Sequence, residues 1–107
     1  MDRDSSITMG EFRDQHWAHA LVFWLLEYQL ARERKDWPFA DFTRDSFAEL
    51  GLKLEVGAAR IDVVPDFPAK IQFTASAWRR GDDIVLKWMH DQGKTGTLSI
   101  QYSKESS

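Results

Sequence analysis

The chain has 107 residues, 43% apolar and 29% charged, a globular balance at a length that suits one domain around one core. It contains no cysteine, which excludes disulfides, thiolate metal sites and cysteine nucleophiles and leans toward a reducing, cytoplasmic setting. With 14 basic and 17 acidic residues the net charge is −3. That balance argues against direct nucleic-acid binding and favours a basic protein as any charged partner.

Met1 to Ser6 lacks the basic-then-apolar order of a signal peptide. Residues 1–7 and 104–107 are expected to be frayed tails of a single α+β domain. Thr8-Met9-Gly10-Glu11 reads as a capping box, with Ile7 and Phe12 at the two positions of a hydrophobic staple. One long helix is predicted from there to about Arg34. Arg32, Arg34 and Lys35 complement the dipole of its last turn, and Trp37-Pro38 ends it. Phe12, Ala20, Phe23, Leu26 or Glu27, and Leu30 follow one stripe of this helix; Trp17, Leu21, Trp24, Leu25 and Tyr28 fill another. A helix apolar nearly all round is either enclosed or offers a second face to something. Its uninterrupted apolar run, Ala20 to Leu26, is far below the roughly 18 residues of a membrane span, so no membrane partner is expected.

Asp36 to Phe42 reads as an aromatic-rich connector. A short helix comes next, capped by Thr43 or Asp41 and stopped by Gly51 in the left-handed region. Past Gly51 the period changes to two. Leu52, Leu54 and Val56 alternate with Lys53 and Glu55, and Gly57-Ala58-Ala59 breaks the register, as a bulge or a turn, before Ile61 to Val64. Ile71, Phe73, Ala75 and Ala77 form one face of the next strand. Arg80-Gly81-Asp82-Asp83 is a hairpin turn, Ile84, Leu86 and Trp88 mark another strand, and Asp91 to Gly96 turns again before Leu98, Ile100 and Tyr102. The expected architecture is a long helix and a short helix on an antiparallel meander of four or five strands, cystatin-like or a similar wrapped sheet.

Motifs for chemistry are sparse. His16 and His19, three apart on the predicted helix, share a face that a metal ion would reach, but Asp14 points elsewhere and His90 is far along the chain. The plain reading, two half-buried helix histidines beside the core, is preferred, and no metal or cofactor is expected. His16 with Asp62 or Asp66 is the candidate acid–base pair, against a plain reading of both aspartates as solvated. Ser46, Ser76 and Ser99 lack a nucleophile-elbow context, and Gly81, Gly93 and Gly96 are assigned to turns. Phe47-Ala48-Glu49-Leu50-Gly51-Leu52 resembles the stretch leading into the modified serine of acyl carrier proteins. Where that family continues with Asp-Ser, Lys53 and Leu54 stand here, so the resemblance implies no phosphopantetheine attachment.

The aromatic content is the most unusual feature, with 5 Trp, 7 Phe and 2 Tyr. Tryptophan suits binding hot spots, though bulky aromatics also fill small cores. Trp24, Trp37 and Trp78, with Asp36, Asp41, Asp82 and Asp83, are the candidate partner-binding residues. Trp78 sits on the otherwise polar face of its strand. The function expected is a non-enzymatic protein-binding module, most concretely a small acidic inhibitor or immunity protein that neutralises a basic toxin or nuclease. Two alternatives stand beside it. One is a small-molecule-binding or lyase/isomerase-type domain with a pocket lined by Trp17, His16 and Phe73; the other is a self-associating structural or adaptor protein, a homodimer that hides the helix's second face.

Overall fold

The computed structural model describes residues 8–66, 70–91 and 93–102. Ile7 of the expected staple, and the expected tails 1–7 and 104–107, lie outside them. Three helices, α1 (Met9–Gln15), α2 (Trp17–Arg34) and α3 (Trp37–Glu49), precede five strands: β1 (Leu52–Val56), β2 (Ile61–Pro65), β3 (Phe73–Arg80), β4 (Asp83–His90) and β5 (Lys94–Gln101). The strands form one open sheet in sequence order, every neighbouring pair antiparallel. The expected α+β meander is therefore present, with five strands among the described residues.

Thr8 opens α1 through the capping box with Glu11. The single long helix is in fact two. His16 takes an extended conformation (φ −160°, ψ 150°) and serves as the C-cap of α1 and the N-cap of α2. Its side-chain Nδ1 accepts from the Ala18 amide at 3.1 Å, so the break satisfies one of the free N–H groups it creates. Lys35 (φ 62°) then ends α2, its N–H reaching the carbonyls of Ala31 and Arg32. Trp37-Pro38 does not end that helix; it starts the next. Asp36 accepts from the Phe39 amide as N-cap, and proline is tolerated in a first turn because no partner is needed for its missing N–H. The expected connector is thus the first half of α3. Thr43 and Asp41, expected as caps, lie inside it, Thr43 buried and donating to the Phe39 carbonyl. Gly51 (φ 78°) closes α3 as expected.

All three helices lie on one side of the sheet, α2 packing on β3 and β4 and flanked by α1 and α3. Leu21, Val22, Leu25, Leu26 and Ala31 of α2 meet Ile61, Val63, Phe73, Ala77, Ile84 and Leu86 of the sheet in one core. No residue of α2 from Ala18 to Glu33 is exposed. Its second apolar face is largely covered within the chain, with Trp17 at its start 39% exposed. No helix among the described residues is long and apolar enough to cross a membrane.

One open alternative is resolved and one strand boundary differs from expectation. Gly57 to Arg60 is a turn between separate strands, with the Gly57 amide on the Arg60 carbonyl. Gly96 is a strand residue rather than a turn residue. It faces Trp88 across the β4–β5 ladder, and a Cβ there would overlap the indole. A strand glycine that admits a neighbouring ring reads in sequence like a turn glycine.

Candidate functional site

The richest side-chain cluster lies where the α1–α2 break meets one end of the sheet. His90 ends β4, opposite Phe73 of β3 and Lys94 of β5. The break turns His16 toward it, with ring centroids 4.8 Å apart. Trp17 stands edge-on to His90 at 5.3 Å and 6.2 Å from Phe73. Asp91 comes next in the left-handed region (φ 48°), and its Oδ2 lies 2.9 Å from His90 Nδ1. A carboxylate at that nitrogen holds the proton on Nδ1 and leaves Nε2 with its lone pair. His90 is buried, so this orientation is held by packing as well.

Of the residues predicted for a pocket, His16, Trp17 and Phe73 do converge. The hollow beside them, about 560 Å³ and open to solvent, is lined by Pro65, Lys70, Ile71, Phe73, Met89 and His90 among others. Trp17 borders an adjoining hollow with Lys70, Asp91 and Lys94. The carboxylate brought to the histidines is Asp91, not Asp62. Asp62 belongs to β2, where it accepts from the Ser76 hydroxyl at 2.6 Å and pairs with Arg60 at 3.1 Å. The expected His16–His19 pair is also altered, because His16 is a cap rather than a helix-face residue. His19 turns into the aromatic layer, stacked on Phe12 at 4.3 Å and edge-on to Trp88 at 5.8 Å. Its Nδ1 is sealed from solvent with no hydrogen-bond partner among the described residues. Burial first, then the nearby His16 and His90, hold its pKa below the ordinary histidine value, with the Phe12 backbone opposing.

The predicted partner-binding residues separate into groups. Trp24 is half-buried and edge-on to Phe47 at 5.6 Å, a packing residue. Trp78 faces away from the helices, half-buried and opposite Val85. Asp82 and Asp83 form the β3–β4 hairpin beside Arg79. Trp37 is 47% exposed at the start of α3, with the Arg32 guanidinium 5.4 Å from its ring centroid. Asp36 caps the same helix, and Asp41 pairs with Arg44 at 3.2 Å.

Phe42 is a residue that the linear pattern does not single out. It is 65% exposed, and helical spacing sets it in an outward row with Pro38, Asp45 and Glu49, flanked by Asp41, all exposed. The signal is present as the spacing 38-42-45-49, but it emerges only once the segment is known to be helical. Compared with family models, curated proteins and solved structures, the chain matches none of them.

Proposed function

We propose that this protein is a binding module that receives a basic, partly apolar segment of another protein on the outward face of α3. The observation that carries this reading is Phe42, 65% exposed in a row edged by Asp41, Asp45 and Glu49, while α2 from Ala18 to Glu33 has no exposed residue. An aromatic anchor flanked by acidic groups offers buried area at its centre and charge-steered association at its rim. Trp37 and Asp36 extend the surface at the N-terminus of α3. The most concrete form is an acidic inhibitor, such as an immunity protein, that masks a basic toxin or nuclease.

The test is titration of a panel of basic proteins, nucleases included, against wild type, Phe42→Ala and the triple variant Asp41→Asn/Asp45→Asn/Glu49→Gln. The reading requires a partner whose binding Phe42→Ala abolishes and the charge variant slows, with an association rate that falls as salt rises. A partner bound equally by all three proteins would place the interface elsewhere. Light scattering at several concentrations separates this from self-association, and a monomer is expected.

A second reading has its own support. The hollow beside Phe73, His90 and Asp91 joins an apolar wall to an oriented imidazole, the combination a small-molecule-binding or lyase/isomerase-type domain uses.

A further inference from the structure

We propose that His16 and His90 together bind one divalent transition-metal ion of the zinc type, with Asp91 as the carboxylate that orients His90 behind it. This site shares no residue with the α3 surface.

Three donor groups from the helix break, the end of β4 and the adjoining turn bring one ligand atom each within 4.8 Å of one another. Two imidazoles with open remaining positions suit zinc, copper or nickel rather than the harder calcium or magnesium. Asp91 on Nδ1 of His90 reproduces the carboxylate–histidine arrangement that fixes the tautomer and raises the basicity of Nε2 toward a cation. His90 is held by burial in β4, so its ring is positioned before any ion arrives. His16 is partly open to solvent and supplies the second ligand from the helix side.

His16 makes the site more than a passive one. Its Nδ1 lone pair accepts from the Ala18 amide, so in the neutral ring the proton sits on Nε2. A cation binding at Nδ1 takes that lone pair directly. A cation binding at Nε2 moves the proton to Nδ1. Either way the Ala18 amide loses its acceptor, and occupancy of the site is linked to the N-cap of α2. A helix N-terminus is also the positive end of the dipole, and the Asp91 carboxylate offsets it.

Isothermal titration of the full chain with zinc chloride, paired with amide NMR, tests the site. One equivalent is expected to bind, and the Ala18 amide resonance should shift on binding. His16→Ser keeps an oxygen acceptor for the Ala18 amide, since serine is a favoured N-cap, but removes the imidazole; it should weaken binding at least tenfold with α2 intact. His90→Gln should weaken it as much, with circular dichroism confirming the fold. Asp91→Asn should weaken it about tenfold without changing the stoichiometry. Zinc bound by His16→Ser as tightly as by wild type overturns the proposal, as does a wild type that shows neither heat nor an Ala18 shift at millimolar zinc.

Discussion

Arg79 grips Glu33 with two hydrogen bonds, 2.7 Å from Nε to Oε2 and 2.6 Å from Nη2 to Oε1. The pair joins the end of β3 to the last turn of α2, and a third bond of 2.8 Å carries Arg79 on to the Tyr102 carbonyl. The side chains are only 14% and 16% exposed, so removing one leaves the other charged and poorly solvated. Glu33→Ala and Arg79→Ala are each expected to cost about 2–3 kcal/mol, somewhat below the loss for a fully buried pair. The double substitution should cost less than the sum. Urea denaturation of the four proteins in the cycle measures the coupling; additive losses would mean that the pair contributes little.

Gly96 and Trp88 form a lock across the β4–β5 ladder. Any side chain at Gly96 meets the indole, so Gly96→Ala is expected to destabilise by about 1–3 kcal/mol through overpacking. Reducing the ring in Gly96→Ala/Trp88→Leu should recover part of that loss relative to Trp88→Leu alone. A stability of Gly96→Ala equal to wild type would show that the indole is free to move.

Asp36 carries two roles that substitution separates. As the α3 N-cap it accepts from Phe39, and Asp36→Ala should cost about 1 kcal/mol. Asp36→Ser should restore most of the stability but not the negative charge at the α3 surface. A thermal-unfolding series paired with partner association rates distinguishes them: Asp36→Ser should fold like wild type and associate more slowly with a basic partner.

His19 sets a direction of acid sensitivity. Its folded-state pKa lies below the ordinary histidine value of 6.5, so the unfolded chain takes up the proton first as pH falls. The contribution of neutral His19 to stability is complete above that value and declines below it. Between neutral pH and about pH 5.5, the urea midpoint should fall further for wild type than for His19→Phe, which keeps the stacking on Phe12 and removes the titration. An equal decline in both would assign the acid sensitivity to other groups.

Local patterns are legible where one short-range rule decides the outcome. The capping box at Thr8 and Glu11, the left-handed stop at Gly51 and the period-two runs of β3 and β4 all stand where the residues place them, because caps and alternation depend on neighbours within a few positions. Misreadings arise where two local rules compete. Trp37-Pro38 serves either as a stop or as a first turn, and the Asp36 cap decides between them. Gly96 suits either a turn or a strand, and the volume of Trp88 decides. His16 has good helix formers on both sides, yet the chain breaks there and its ring caps α2.

The α+β class, the order of helices before strands and the antiparallel meander can all be read from the linear chain, since they are consequences of periodicity and turn residues. The exclusions can be read there too, because a chain without cysteine cannot form thiolate or disulfide chemistry anywhere in its fold. Three features needed the folded arrangement: α2 is covered from Ala18 to Glu33, Phe42 is left outward beside acidic groups, and His16 meets His90 and Asp91. The groups that create these features are distant in sequence, and no local pattern encodes which faces are brought together when α1, α3 and the sheet close around α2.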